Sequence, residues 1–284
     1  MSWYPGHMAK AMRLLRQRMR LVDVVLEVAD ARAPAASRNP RLAELVEARP
    51  RLLVLTRADL ADPALTDGWL AYLAARGEEA VAVDARTGRG LERVRAWLEG
   101  CREKLARRSW YRPLRLVVVG VSNVGKSSLL NRLTGQRVVR TGALPGVTRG
   151  EQWVRVTEGP GGGTEALDLP GLLPPRPEPE VAATLVAIGV LPWQQVPYPE
   201  VISYLLAALP ERGRMALCGR YGVEWGPAED VLAAIARRRG FCGAGGAPDR
   251  ERAARALLGD FQAGRLGRIT LEPVPPQGTV TFGG

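Results

Sequence analysis

The sequence is poor in residues that build sulfur-based sites. Its three cysteines, Cys101, Cys218 and Cys242, lie far apart and form no CxxC pair. That spacing argues against a zinc site and against a disulfide framework, and it fits a reducing cytoplasm. No stretch reaches the roughly 18 uninterrupted apolar residues that a membrane span needs, so no membrane partner is expected. No apolar signal-peptide core precedes the first motif at Trp3, which again points to a cytoplasmic location. No internal repeat is visible. Acid is locally missing as well: between Met1 and Arg20 stand Lys10, Arg13, Arg16, Arg18 and Arg20, with no Asp or Glu. A second cluster, Arg102, Lys104, Arg107, Arg108, Arg112 and Arg115, has only Glu103 against it. The whole chain carries 40 basic and 29 acidic side chains, a formal charge of +11. Such a surplus alone fits plain solubility as well as it fits a polyanionic partner. Its clustering shifts the reading toward a footprint on nucleic acid.

At 284 residues the chain has room for one α/β nucleotide-binding domain and a smaller second domain. Ala9 to Leu21 reads as a basic amphipathic helix. Short apolar runs at 24–28, 52–55, 80–83 and 116–119 read as buried strands. Helices are expected between them at 40–48, 65–75 and 91–105, and from Lys126 onward. Strands and helices alternating at these lengths predict a parallel-rich sheet covered on both faces. After Gly171 the texture changes. Pro174, Pro175, Pro177 and Pro179 predict a stiff linker. Beyond it, helix starts are marked by Pro199-Glu200, by Pro227 with Glu229 and Asp230, and by Pro248-Asp249. The expected division is therefore a nucleotide-binding domain over 1–177, a mostly helical domain over 178–272 and a loose tail over 273–284.

Gly120-Val121-Ser122-Asn123-Val124-Gly125-Lys126-Ser127 matches the phosphate-loop pattern GxxxxGK[ST], after a strand and at the start of a helix. Backbone N–H groups of Asn123, Val124, Gly125, Lys126, Ser127 and Ser128 are expected to turn onto phosphate oxygens, helped by the helix N-terminus. Lys126 is expected to bridge the terminal phosphates, and the Ser127 hydroxyl to ligate Mg²⁺. Asp168-Leu169-Pro170-Gly171 follows a second apolar run. Its acid is placed to hold Mg²⁺ through water, and the Gly171 N–H to meet the γ-phosphate. Thr148, between the two motifs, is a candidate to complete the metal shell.

Guanine specificity needs its own reader, usually an [NT]KxD strand end downstream of DxxG. The asparagines are Asn39, Asn123 and Asn131 only, so none lies downstream. The downstream acids Asp230, Asp249 and Asp260 sit in unrelated contexts. Upstream, the strand at 52–55 ends in Thr56-Arg57-Ala58-Asp59, and the next strand ends in Asp84-Ala85-Arg86-Thr87-Gly88. Thr56, Arg57, Asp59, Asp84, Ala85 and Arg86 are therefore the candidate guanine-binding residues, and they precede the phosphate loop. Sheet position, not chain order, sets the geometry of such a site, so the motifs read as circularly permuted.

With these residues in hand, the chain resembles the YlqF/RbgA family of circularly permuted ribosome-biogenesis GTPases over nearly its whole length. The resemblance rests on Trp3-Tyr4-Pro5-Gly6-His7-Met8-Ala9-Lys10, on Asp30-Ala31-Arg32-Ala33-Pro34, on Ser37-Arg38-Asn39-Pro40 and on Gly264-Arg265-Leu266-Gly267-Arg268. It implies a GTPase, slow alone and stimulated by the ribosome, that cycles between GTP and GDP. It also implies a role in assembling the large ribosomal subunit, with rRNA contacts from the helical domain. Three departures stand out: Thr56-Arg57 replaces Asn-Lys, DLPG replaces DTPG, and Asp84 occupies a position where many GTPases carry serine. Leu172 stands where Ras-like enzymes place a water-orienting glutamine. His7, the single histidine, is the family's catalytic candidate, able to take a proton or hold water near neutral pH. Its other reading is a cap, a packing group or an RNA contact. Asn123 resembles a residue associated with K⁺ in cation-stimulated GTPases, and a structural hydrogen bond explains it equally well. Two rival functions stay open on the sequence: an RNA-binding assembly module whose nucleotide is structural, and a P-loop ATPase.

Overall fold

The computed structural model describes residues 13, 15–46, 49–106, 112–136, 152–158, 163–168 and 177–276. Arg13 and 15–18 are helical and run into a 3-10 turn over Met19–Leu21. The sheet strands are β1 (Val24–Asp30), β2 (Arg51–Thr56), β3 (Ala80–Ala82), β4 (Leu114–Val119), β5 (Gln152–Thr157) and β6 (Thr164–Asp168). The helices are α1 (Pro40–Val46), α2 (Pro63–Ala75), α3 (Leu91–Ala106), α4 (Lys126–Thr134), α5 (Pro179–Ala187), α6 (Tyr198–Ala208), α7 (Glu211–Tyr221), α8 (Ala228–Arg239) and α9 (Arg250–Gln262). Local chemistry starts several of them. Asp62 caps α2 by accepting from Leu65 N at 3.0 Å, with Pro63 in the first turn, and Asp249 caps α9 through Arg252 N at 2.9 Å. In α8, Glu229 and Asp230 sit at the positive end of the helix dipole and Arg237 to Arg239 at the negative end.

The strand order is β3-β2-β1-β4-β6-β5, parallel throughout except for β5 against β6. The parallel-rich sheet expected from the sequence is present, and the antiparallel edge strand β5 is an addition that the sequence reading did not include. The continuous apolar runs of β1 and β4 fit their central places, because strands there are buried on both faces. Alternate residues face opposite layers: Val24, Leu26 and Val28 join one core, and Val25 and Ala29 join two smaller cores beneath α1 and α2. Glu27 is the one acid that β1 carries in mid-strand, and it is 2% exposed. It is matched by Arg38 and Arg51, and both arginines also reach Glu78.

The helices beyond Glu178 close the same core. Leu185, Ile202, Leu257 and Phe261 lie in one continuous buried cluster with Val24, Leu26 and Leu116 of the sheet. The chain after α9 then returns to the nucleotide-binding half. Ile269 N donates to Leu60 O at 2.9 Å and Leu271 N to Arg32 O at 2.7 Å. The Glu272 carboxylate accepts from the N–H groups of Ala35 (2.7 Å) and Ala36 (2.8 Å). Val274 packs against the core around Trp69, so ordered packing continues at least that far into the stretch read as a tail; 277–284 lie outside the described residues.

Candidate nucleotide site

β4 delivers the chain to a loop that only particular backbone angles can close. At Gly120 (φ 148°) a Cβ would stand 2.3 Å from Val28 O, so a side chain is excluded there. Asn123 (φ 60°) and Gly125 (φ 98°) both occupy the left-handed region, which Asn tolerates best among residues with a side chain. Left-handed residues at 123 and 125, just before α4, suit the backbone of an anion nest at a helix N-terminus. Lys126 is 7% exposed, and its ammonium donates to Gly120 O at 3.2 Å and Val121 O at 2.8 Å. Ser127 at the first turn of α4 is half-buried and Ser128 is exposed.

The upstream motif lies directly against this loop. The Thr56 hydroxyl sits between Ala29 O (3.0 Å) and Val124 O, sharing its proton with both carbonyls. Thr56 thus ties the end of β2 to the middle of the phosphate loop. Arg57, itself at φ 56°, donates from Nη2 to Asn123 O at 2.7 Å. Its Nη1 reaches Asp30 Oδ2 and Ile188 O, both at 3.0 Å. Asp30 is fully buried and also accepts from Arg32 Nε at 2.9 Å and Nη2 at 2.8 Å. Burial opposes ionisation of Asp30. The Arg32 charge and hydrogen bonds, with the Arg57 charge, outweigh it and hold the carboxyl below its usual range.

Asp59 follows on the same turn, about a quarter exposed, with its nearest cation Arg86 Nε at 3.7 Å. The two candidate base-reading loops therefore meet at that pair. Because Arg86 is 77% exposed, the contact marks proximity more than it adds stability. Asp84 is 6% exposed and turns into its own loop, accepting from Arg86 N (2.8 Å), Thr87 N (3.3 Å) and the Thr87 hydroxyl. Burial works against its charge, but these three bonds prevail and keep its carboxyl below the ordinary value. Arg132 of α4 donates to Thr87 O at 2.9 Å and ties this loop to the phosphate-loop helix. Ala85 lies between these anchors.

Asp168 ends β6 and pairs in register with Val118 of β4, one strand from the phosphate loop. Its side chain, together with His7, Thr148, Gly171 and Leu172, lies outside the described residues.

One part of the site leaves no side-chain signal in the sequence. The turn after α5 offers its backbone carbonyls to the nucleotide-binding half: Ile188 O accepts from Arg57 and from Arg32 Nη2 (2.7 Å), and Val190 O from Asn123 Nδ2 (3.3 Å). Gln262 of α9 supports that turn through Val186 O and Ala187 O, both at 3.1 Å. These bonds satisfy carbonyls that a helix C-terminus otherwise leaves open.

Comparison with known proteins agrees with this geometry. A family described as 50S ribosome-binding GTPase matches residues 115–190. Ribosome biogenesis GTPase A of Bacillus cereus is 36% identical over 280 residues, covering 95% of this chain and 93% of that protein. The Thermotoga maritima protein of the same name is 32% identical over 273 residues, covering 96% of this chain and 94% of its own length. Among solved structures, GNP-bound YlqF from T. maritima superposes with a TM-score of 0.65 at 28% identity, covering 93% of this chain and 98% of that one. The GDP-bound form gives 0.64 at 27% identity.

Proposed function

Because this chain belongs to the ribosome biogenesis GTPase A (YlqF/RbgA) family of GTP-hydrolysing assembly factors, we propose that it works on the large ribosomal subunit, binds its rRNA according to nucleotide state, and hydrolyses GTP slowly until the particle stimulates it. The observation that carries the nucleotide assignment is the pair of contacts from Thr56 to Val124 O and from Arg57 to Asn123 O. They join a base-reading motif to a phosphate loop that follows it by more than sixty residues in the chain.

In this reading Asp59 accepts from guanine N1–H and the 2-amino group. The Arg57 guanidinium is held by Asp30, Ile188 O and Asn123 O, which leaves its aliphatic stem to cover the base. Asp84 shapes the loop whose backbone at Ala85 and Arg86 meets guanine O6. The N–H groups from Asn123 to Ser128, with that of Gly171, cradle the phosphates. On binding nucleotide, Lys126 exchanges its two carbonyl partners for phosphate oxygens. P-loop GTPases as a class use Mg²⁺, which neutralises charge on the terminal phosphates when bound. Ser127, Thr148 and Asp168 would hold it, a set of hard oxygen donors suited to that ion. The amide nitrogen of Asn123 is bound to Val190 O, leaving its oxygen as a ligand for K⁺. Leu172 has no hydrogen-bonding group for water, so His7 positions it. The cytoplasm is the proposed compartment, and no helix among the described residues is long and apolar enough to cross a membrane.

The test is the GTPase rate with and without purified large subunits, at varied K⁺. Strong stimulation by the subunit is expected, and His7→Ala should lose most of it, roughly 10²–10⁴-fold, with GTP affinity retained. A rate indifferent to the subunit would favour an assembly module with a structural nucleotide, and displacement of GTP by ATP would favour an ATPase.

A further inference from the structure

Between α7, α8 and α9 lies an open cleft of about 350 Å³ whose lining includes Arg220, Arg239, Arg255, Arg265, Asp260 and Phe241. Four arginines thus face one acid. Asp260 is 5% exposed and already engaged on both oxygens. Oδ2 accepts from Arg220 Nε and from Tyr221 OH (2.6 Å), and Oδ1 from Arg265 Nη1 (2.7 Å). The carboxylate therefore acts as a frame that fixes two guanidinium groups and leaves their other N–H groups pointing elsewhere. The remaining arginines are held by aromatic rings. The Arg255 guanidinium carbon lies 4.0 Å from the Trp193 ring centroid, and that of Arg239 5.1 Å from Tyr221. Arg252, beside the cleft, covers Phe241 at 4.5 Å. Arg255 also meets Glu251 in an exposed pair that binds weakly. Among the described residues Arg239 forms no ion pair.

This is an unusual state for surface cations. A guanidinium stacked on a ring is weakly hydrated and already ordered, so it loses little on meeting a second ligand, and its planar fork matches phosphate oxygens. An inorganic anion would fill only a small part of the space, whose volume falls within the range of organic-ligand pockets. A rigid duplex reaches a recess of this kind poorly, whereas a splayed nucleotide enters it and stacks on aromatic or arginine planes.

We propose that this cleft receives one unpaired nucleotide of an RNA, with Arg239 and Arg255 on its phosphates and its base against Phe241. The inference rests on the RNA-binding reading above and adds the structural class of RNA and the residues that select it. It also makes the preference for single strands a property of the region beyond α7 rather than of the basic N-terminal helix.

The experiment measures binding of the full-length, nucleotide-loaded protein to a short fluorescent single-stranded RNA, to a duplex of equal length and to polyglutamate, across a salt series. Arg239→Glu with Arg255→Glu should weaken single-strand binding at least ~10-fold and lower the log–log salt slope by roughly 1.4, at about 0.7 per lost phosphate contact. Phe241→Leu should cost roughly 5- to 100-fold, with an unchanged slope, as expected for lost base stacking. Thermal midpoint and GTP affinity serve as controls for folding in both variants. Equal affinity and slope in the folded variants overturn the pocket. If Arg13, Arg16 and Arg20 changed together to Glu lose RNA in that case, the broader RNA reading stands without it. Preference for duplex, or equal competition by polyglutamate, also overturns the pocket. Failure of the wild-type protein to bind any RNA removes both.

Discussion

In the nucleotide-binding half several arginines are committed to protein partners. Arg32 is 1% exposed and spends its bonds on Asp30 and Ile188 O, Arg38 is 7% exposed against Glu27 and Glu78, and Arg57 spans Asp30, Ile188 O and Asn123 O. Around the α7–α9 cleft the arginines are exposed, and rings or one shared carboxylate hold them in place. Residue type is the same in the two regions and the physical role is opposite. In the first, each of these charges is a fastener between segments, and its loss opens a buried network. In the second, the charge remains available to a ligand. A formal charge of +11 therefore overstates what is free in the nucleotide-binding half.

The contrast can be broken first at the phosphate loop, where the buried Lys126 has the proposed role of meeting phosphate oxygens. Lys126→Ala should weaken GTP binding by roughly 10²–10⁴-fold, the loss of two charge-assisted hydrogen bonds, while the protein stays folded. Nucleotide affinity like that of the wild type, in a variant with a native melting profile, would remove the phosphate assignment.

A stability comparison sharpens the contrast itself. Asp30→Ala strands Arg32 in the interior and should cost about 3–5 kcal/mol in denaturant unfolding. Arg239→Ala, on an exposed stacked cation, should stay within about 0.5–1 kcal/mol. Similar losses in both would mean that the arginines of the two regions are not used differently.

The smallest effect concerns the strap that links the halves. Burial pushes the Glu272 carboxyl up to about 7, over the opposing pull of the Ala35 and Ala36 N–H bonds, and the nearby Asp30 charge adds to the rise. A folded value above the unfolded one, about 4.3, means that this group's stabilisation is complete below that pH and is lost as pH rises through 7. From pH 6 to 8 the expected loss is on the order of 1 kcal/mol, a fall of roughly 2–4 °C in thermal midpoint. Glu272→Gln should flatten that part of the profile. An equally steep decline in the variant would assign it to other groups.

These contrasts also separate what was legible in the sequence from what was not. The phosphate loop could be read because its constraints are local: glycine at Gly120 and Gly125, asparagine at Asn123, and a strand and a helix on either side. The apolar strands could be read because central parallel strands are buried on both faces and need no alternation. The strand order was not legible, because it depends on pairings between distant segments; only the permuted order of the candidate motifs could be read along the chain. By contrast, Asp30 and Arg32 were visible as a motif without a role, because their partners, Arg57 and Ile188 O, come from distant segments. The carbonyls of Ile188 and Val190 carry no residue signature at all. Asp84 shows an intermediate case. Its acceptance from N–H groups two and three residues on is a turn pattern that its sequence permits but does not compel.

The central claim is that Asp59, ahead of the phosphate loop in the chain, reads the guanine base. Asp59→Asn replaces the carboxylate acceptor with an amide whose N–H suits the 2-oxo group of xanthine. The affinities of this variant for guanosine and xanthosine triphosphates, measured side by side with the wild type, test the claim directly. A permuted guanine site predicts a reversal of preference, with guanosine triphosphate weakened and xanthosine triphosphate strengthened. Unchanged affinity for both nucleotides in a folded variant would contradict it.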